Sequence, residues 1–142
     1  MTKCVKKYKI KIYYFYIKMS ELETKTGAEI FYRPWGQYTT IHGDDHAGYK
    51  VKKISVSTNS RLSLQSHNQR SEHWVIIQGK AKVQVGDDSL ELNKNQHVYI
   101  PKKTLHRIEN IGEEVLIFIE TQIGVYLGED DIIRYQDDYN RN

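Results

Sequence analysis

From Phe31 onward the sequence consists of short segments rich in Val, Ile, Tyr and Trp, separated by turn signals such as GDDS and IGEE. β-Branched and aromatic residues favour strands, and many short strands at this spacing are typical of a β-sandwich or barrel. The final segment, EDDIIRYQDDYNRN, is polar and is predicted to form a short helix or arm. The clearest predicted strands are Tyr49–Val56, Arg61–His67, His73–Gln78, Ala81–Val85, Leu90–Leu92, His97–Ile100, Leu105–Glu109 and Val115–Thr121.

The basic charge of the chain is concentrated in residues 1–18. The full sequence has a net charge of +3, but residues 1–18 contain six Lys and no acidic residue. The remaining residues contain 15 Lys and Arg against 18 Asp and Glu, so their charge gives no case for nucleic-acid binding. We predict an atypical basic extension over 1–18, followed by a single domain over 19–142.

Three interpretations of residues 1–18 remain open. The segment is upstream sequence translated from an early start codon, with Met19 as the working start, or an extra edge strand, or a membrane-surface anchor, which is the least favoured. Lysines interrupt its apolar stretch, which argues against a signal peptide, and no apolar run in the chain approaches the roughly 20 residues of a membrane helix. Cys4 is the only cysteine, so we expect neither a disulfide nor a thiolate metal site, and a cytoplasmic protein.

The segment LSLQSHNQRSEHWVIIQG, residues 62–79, begins and ends like a strand but carries coordinating and charged groups in its middle. Side chains alternate along a strand, so Gln65 and His67 share one face, and Glu72 shares a face with Trp74. Trp74 is expected to face inward, and a buried carboxylate is costly without a partner or a metal. If the hairpin pairs as its turn indicates, Gln65, His67 and Glu72 converge as ligands for Zn²⁺, Mn²⁺ or Fe²⁺. The competing interpretation is a strand with one face in water.

A second segment, QHVYIPKKTLHRIEN at 96–110, offers a fourth ligand. Pro101 ends one predicted strand, and His106 opens the next with Ile108 on its face. From sequence alone, His106 is more often a structural histidine than a metal ligand.

Together the two segments resemble the two motifs of the cupin family. The first motif is Gly, five residues, His-x-His, three or four residues, Glu, six residues and Gly, and the second is Gly, five residues, Pro-x-Gly, two residues, His, three residues and Asn. The corresponding residues here are Asn59, Gln65, His67, Glu72 and Gly79 in the first motif, and Asn95, Pro101, Lys103, His106 and Asn110 in the second. The resemblance implies an all-β fold, a small antiparallel jelly-roll barrel with a metal in its mouth and a short polar C-terminal arm. Asn59 and Asn95 are small departures from the Gly of the motifs, because Asn tolerates the left-handed backbone conformation of a turn. Lys103 in place of Gly is a larger departure.

Outside the motifs the chain resembles the type II mannose-6-phosphate isomerase domain, which forms the C-terminal part of bifunctional guanylyltransferase–isomerases and also occurs alone. The matching text includes RPWGQY at 33–38, RLSLQSH at 61–67, RSEHWVIIQGKAKV at 70–83 and IETQIGVYLGEDDIIRYQDDYNR at 119–141. This resemblance implies the interconversion of mannose 6-phosphate and fructose 6-phosphate. It implies Gln65, His67, Glu72 and His106 as the ligands of a divalent metal ion, with zinc favoured over manganese or iron.

The resemblance also suggests roles for residues around the metal ligands. Arg70 is predicted to be a catalytic electrostatic or sugar-orienting residue, and His73 is a candidate acid/base if a bulge turns it inward. Lys52, Arg61 and Arg107 are predicted substrate-binding cations for the phosphate. The predicted partner is a small sugar phosphate, without nucleic acid or membrane, and a homodimer is compatible with a small cupin.

Competing functions remain open at this point. One is a non-catalytic cupin that binds a sugar phosphate or sugar nucleotide. Another is an iron-dependent dioxygenase, against which Gln65 argues because such enzymes favour a His-rich site. A metal-free sugar-nucleotide epimerase is disfavoured because Gln65, His67, Glu72 and His106 form a full set of metal ligands. The sequence contains no Gly-rich nucleotide-binding loop, so a guanylyltransferase activity is not expected.

Overall fold

The structure is a computed structural model that describes residues 28–141, so the predictions for residues 1–18 lie outside the described part of the chain. From Phe31 onward the chain forms one compact unit. Within residues 28–141 the regular elements are strands and one turn of 3₁₀ helix, which confirms the all-β prediction. Over the same residues, no helix has the length and apolar character needed to span a membrane.

Eleven strands are found among the described residues, and most predicted strands are recovered. β3 and β8 have the predicted bounds, whereas β1, β2 and β11 were not among the clearest predictions. The strands are β1 Ile30–Arg33, β2 Gly36–Gly43, β3 Tyr49–Val56, β4 Leu64–His67, β5 Arg70–Gln78, β6 Lys80–Val85, β7 Asp88–Asn93, β8 His97–Ile100, β9 His106–Asn110, β10 Leu116–Gly124 and β11 Ile132–Gln136.

The strands form two sheets that enclose a common core. The six-stranded sheet has the order β1-β2-β3-β10-β5-β8, and the five-stranded sheet has the order β11-β4-β9-β6-β7. Neighbouring strands run antiparallel from β2 to β8 in the first sheet and throughout the second. Buried apolar side chains from both sheets, among them Trp74, Phe118, Val83 and Ile108, pack into one cluster between them.

The inward faces of the central strands change from apolar to polar along their length. On β5 the inward residues run from Ile76 and Trp74 to Glu72 and Arg70, all of them buried. The same change occurs on β10, where Leu116 and Phe118 precede Glu120 and Gln122, and on β3, where Val56 and Ile54 adjoin Lys52 and Lys50. The register aligns the change on β3 and β10, where Glu120 lies opposite Lys52, and places it one inward position later on β5, where Trp74 lies opposite Glu120. One end of the interior is therefore a hydrophobic core and the other end is polar.

The C-terminal segment, predicted to be a short helix or arm, contains one helical turn followed by a paired strand. Glu129–Asp131 forms one 3₁₀ turn, and β11 then pairs with β4 at the edge of the five-stranded sheet. The carboxylate of Asp131 accepts hydrogen bonds from the backbone amides of Asn68, at 3.3 Å, and Gln69, at 3.0 Å. The polar composition of the segment is thus used in pairing and side-chain bonds rather than in a free arm.

Four described residues other than glycine lie in the left-handed region, and three of them fall within the two cupin motifs. Asn59 has a φ of 56°, Asn95 of 70° and Lys103 of 62°, and these are the positions at which the cupin motifs carry Gly. Asn tolerates this conformation, but a lysine there is strained. The Lys103 turn is kept because its backbone N–H donates to the carbonyl oxygen of His67 at 2.7 Å.

Replacing Lys103 with glycine is expected to stabilise the protein. The left-handed conformation costs a residue with a side chain roughly 1–2 kcal/mol, and the greater flexibility of glycine in the unfolded chain offsets roughly 0.5–1 kcal/mol of that gain. Lys103→Gly should therefore raise the midpoint of thermal unfolding by about 2–4 °C. The control is Lys102→Gly at the neighbouring exposed position, which should lower the midpoint. A Lys103→Gly protein no more stable than the wild type would contradict the strain argument.

Candidate metal and active site

Three buried side chains from three strands meet in the polar half of the interior. His67 ends β4, Glu72 lies on β5 and His106 opens β9. The Nε2 atom of His67 lies 3.1 Å from Oε1 of Glu72, and Nε2 of His106 lies 3.7 Å from Oε2 of the same carboxylate. One ligand atom from each residue falls within 4.8 Å of the others, a spacing that suits ligands of one metal ion.

The hydrogen bonding of His106 leaves one ring nitrogen as a potential ligand. Its Nδ1 lies 2.8 Å from the carbonyl oxygen of Thr104, which accepts a hydrogen bond and so places the proton on Nδ1. Nε2 is then left with a lone pair, and it is buried without a hydrogen-bond partner among the described residues. Burial lowers the pKa of His106 below its ordinary value, which favours the neutral imidazole that binds metals. These donors fit a divalent cation.

Gln65 stands beside this trio, as the motif predicted. It is buried, and it lies opposite His106 in the single register pair that joins β4 to β9. Its Oε1 accepts a hydrogen bond from the Ser63 hydroxyl at 2.9 Å, and its Nε2 lies 3.5 Å from Nε2 of His67. A half-turn of the amide about its last side-chain bond would direct the oxygen, a metal-binding atom, toward His67.

Arg70 is also brought to the trio, and it is nearly fully buried. Its Nε donates to Oε1 of Glu72 at 2.9 Å, its Nη2 lies 3.4 Å from Nε2 of His67, and its Nη1 donates to the carbonyl oxygen of Gly128 at 3.1 Å. Gly124 lies opposite Arg70 in the register, and a Cβ at Gly124 would overlap the carbonyl oxygen of Gln69. The close approach of β10 to the start of β5 therefore requires glycine here.

Charge compensation keeps Glu72 ionised in spite of its burial. Burial alone would raise the pKa of the carboxyl, but the hydrogen bond with His67 and the nearby charge of Arg70 lower the pKa below its ordinary value. Burial in turn disfavours the charged guanidinium of Arg70, and Glu72 outweighs this and raises the pKa of Arg70. The two residues thus support each other's charge.

A small recess with a cavity volume of about 50 Å³ opens next to the trio. Gln65 and Arg70 belong to both the site and the cavity wall, so the cavity adjoins the centre. Lys52, a predicted substrate-binding residue, lines the cavity and forms an ion pair with Glu129. Arg33 and Tyr38 line it as well.

The cavity also contains a buried carboxyl group that the sequence analysis missed. Glu120 faces inward on β10 and is 5% exposed. The Nε1 atom of Trp74 donates to Oε2 of Glu120 at 3.1 Å and to Oε2 of Glu72 at 3.0 Å, and Nε2 of Gln122 donates to Oε1 of Glu120 at 2.6 Å. Burial and the neighbouring Glu72 raise the pKa of Glu120 to about 8. The sequence did indicate that Glu120 faces inward, because Glu120 lies two residues after Phe118 and therefore shares its strand face.

His73 does not reach the site, which corrects its predicted role as an acid/base. It is exposed on the outer face of β5, where its ring packs against Tyr99 with centroids 4.7 Å apart. The pairing of β5 with β10 is regular from Ser71 to Val75, so no bulge turns the imidazole inward.

Arg61 and Arg107 are likewise not placed to bind substrate in this cavity, which corrects their prediction. Arg61 donates to Asp138 at 2.7 Å, and Arg107 lies on the outward face of β9, where it donates to Oε1 of Gln136 at 3.0 Å. Both residues line a separate hollow on the outer side of the five-stranded sheet. The alternation along β9 explains this, because His106 faces inward and its neighbour must face outward.

Two facing antiparallel sheets with a His–Glu–His cluster at the polar end define this protein as a cupin. A solved cupin-2 domain, Rru_A2000 from Rhodospirillum rubrum, superposes with a TM-score of 0.63 over 74% of this chain and 78% of that chain, at 16% sequence identity. The model of the family described as mannose-6-phosphate isomerase C-terminal matches residues 20–137, and the chain belongs to that family. This confirms the resemblance read from the two motifs and the flanking text.

The curated relatives are much longer proteins. Xanthan biosynthesis protein XanB from Xanthomonas campestris pv. campestris (strain B100) is 48% identical over 110 residues, which are 78% of this chain and 23% of that protein. A mannose-1-phosphate guanylyltransferase from Escherichia coli (strain K12) is 44% identical over 110 residues, with the same two coverages of 78% and 23%. The chain therefore spans about a quarter of the length of these relatives.

The buried carboxyl of Glu120 predicts a pH dependence of stability in the metal-free protein. Its pKa of about 8 in the folded state lies above the ordinary value of 4.5, so between these pH values the folded state keeps a proton that the unfolded state has released. Stability should then fall as pH rises through this window. Denaturant titrations in chelator at pH 5 and pH 8 should show the wild type losing a few kcal/mol relative to Glu120→Gln, since one pKa unit is worth about 1.4 kcal/mol. A difference between the two proteins that is independent of pH would contradict this assignment.

Proposed function

We propose that the protein is a metal-dependent aldose–ketose isomerase that interconverts mannose 6-phosphate and fructose 6-phosphate. The observation that carries the proposal is the convergence of His67, Glu72 and His106 beside a cavity lined by cationic and carboxylate side chains. The family to which the chain belongs supports the same reaction. We propose the isomerase reaction alone, without a guanylyltransferase activity. We also propose that the protein acts in the cytoplasm.

The proposed metal ligands are Gln65, His67, Glu72 and His106. Two imidazoles, one carboxylate and one amide oxygen suit a divalent cation, with zinc favoured over manganese or iron, and four protein ligands leave room for substrate on an ion that expands its coordination. When bound, the cation would polarise the sugar carbonyl and offset the negative charge that develops on its oxygen.

The chain's own cations provide the remaining electrostatics. Arg70 is held by Glu72 and by the Gly128 carbonyl, so its guanidinium is oriented before substrate arrives and can stabilise negative charge on a sugar oxygen. Lys52 and Arg33 line the same cavity and are the proposed contacts for the phosphate group. Because Lys52 is paired with Glu129, phosphate binding would involve exchange of one anionic partner for another.

The proposal is tested by assaying the full chain with mannose 6-phosphate in an enzyme-linked isomerase assay. Activity should disappear after chelation and return after addition of Zn²⁺, Mn²⁺ or Fe²⁺. His106→Ala and Gln65→Ala should lower kcat by at least about a hundredfold and reduce metal content, because each removes a proposed ligand. The matched control is His97→Ala on the exposed face of β8, which should retain wild-type activity.

Two outcomes would count against the isomerase. A folded, metal-loaded protein with no turnover for any of the three metals would favour the alternative of a cupin that binds a sugar phosphate without converting it. Activity that survives complete metal removal would exclude the proposed metal dependence. Mannose 6-phosphate binding, measured by calorimetry on the same samples, separates a binding module from an inactive preparation.

A further inference from the structure

We propose that Glu120 is the catalytic base that transfers the proton between C2 and C1 of the sugar. The inference rests on the proposed isomerase function and deepens it, because neither the ligand set nor Arg70 provides a proton acceptor for a carbon acid. Glu120 is a wall residue of the cavity and lies in its polar half. The carboxyl group can therefore touch a bound substrate directly.

The carboxyl groups that line this cavity or the adjoining centre differ in how they are bonded. Glu72 is held by Arg70 and His67, and Glu129 is held by Lys52. Glu120 forms no ion pair among the described residues, and its two oxygens accept hydrogen bonds from the neutral donors Trp74 and Gln122. Two neutral bonds fix the orientation of the carboxylate and leave lone pairs to take up a proton.

The position of Glu120 relative to the proposed metal centre suits the chemistry. A single atom, Nε1 of Trp74, donates to both Glu72 at 3.0 Å and Glu120 at 3.1 Å, so the two carboxylates are neighbours. A sugar whose first two oxygens face the His67, Glu72 and His106 cluster would place its C1 and C2 atoms next to that cluster. Glu120 is then the adjacent acceptor on the cavity side.

The charged groups around Glu120 come from three elements. Lys52 lies opposite it on β3, Glu72 and Arg70 lie on β5, and Glu129 belongs to the 3₁₀ turn. Burial and Glu72 raise the pKa of Glu120, while Lys52 and Arg70 act in the opposite direction.

The proton transfer balances without any other reactant. The Glu120 carboxylate takes the hydrogen from C2 of the open-chain aldose as a proton, and the electron pair of the broken C–H bond forms the C1=C2 double bond. The carbonyl π pair moves to O1, which gives an enediolate. The hydroxyl proton of O2 moves to O1, the electron pair of the O2–H bond forms the C2=O2 carbonyl, and C1 takes the proton back from Glu120. The product is the ketose, and the carboxylate is regenerated.

The test uses Glu120→Gln and Glu120→Ala in the full chain, reconstituted with the metal that activates the wild type. Glu120→Gln should lower kcat by at least about a hundredfold, which is the contribution typical of a positioned base, with KM within about threefold and metal content unchanged. Glu120→Ala should regain part of its activity when formate is added, because a small carboxylate can occupy the space of the missing side chain. The matched control is Glu109→Gln, the same substitution on the outward face of β9, which should keep wild-type kcat.

Each outcome bears on a separate claim. An active wild type together with a Glu120→Gln protein whose kcat lies within tenfold of it would overturn the role of Glu120 and leave the isomerase proposal standing. Loss of metal from a folded Glu120→Gln protein, or a Glu120→Ala protein that does not respond to formate, would assign Glu120 to holding the site and overturn its role as base. An inactive wild type would overturn the isomerase proposal and this inference with it.

Discussion

Burial of the Glu72 carboxylate is the constraint around which the polar half of the interior is organised. An uncompensated buried charge costs several kcal/mol, so Glu72, at 1% exposure, must be fully partnered. Arg70 and His67 contact one carboxylate oxygen, and Trp74 bonds the other. Arg70 and Trp74 lie with Glu72 on β5, whereas His67 lies on β4 of the facing sheet, so the packing of the two sheets brings these partners together. One of these partners, His67, is also a proposed ligand of the cation.

The hydrophobic end of the barrel holds this polar end in place. Trp74 lies at the boundary, with its ring 5.3 Å from that of Phe118 and its indole N–H bonded to two carboxylates. Its apolar surface is thus buried against the core while its one polar atom is satisfied in the site. The change from apolar to polar occurs at the same level on β3 and β10, and one inward-facing position later on β5, where Trp74 lies opposite Glu120. Side chains mounted on rigid strands keep their spacing, which is what a ligand set requires.

Much of this arrangement could be predicted from the sequence because strand alternation is a local property. The inward direction of Glu72 followed from its sharing a face with Trp74, and the meeting of His67 with His106 followed from the cupin motifs. Alternation alone could not determine which distant cations share the cavity. Arg61 and Arg107 were predicted to bind substrate but face the outer side of their sheet, and Glu120 was overlooked because its significance depends on pairing between β10 and β5.

The C-terminal segment shows the same limit, since its polar composition was taken as the sign of an arm. Its first residue, Glu129, pairs with the buried Lys52, and the two residues before it contribute backbone carbonyls: Leu127 accepts from Lys50 at 2.9 Å, and Gly128 accepts from Arg70 at 3.1 Å. Burying these cations without such partners would be costly. Three inward-facing cations on β3 and β5 need oxygen partners at the polar end of the interior. The segment after β10 provides these partners, which accounts for its return across that end.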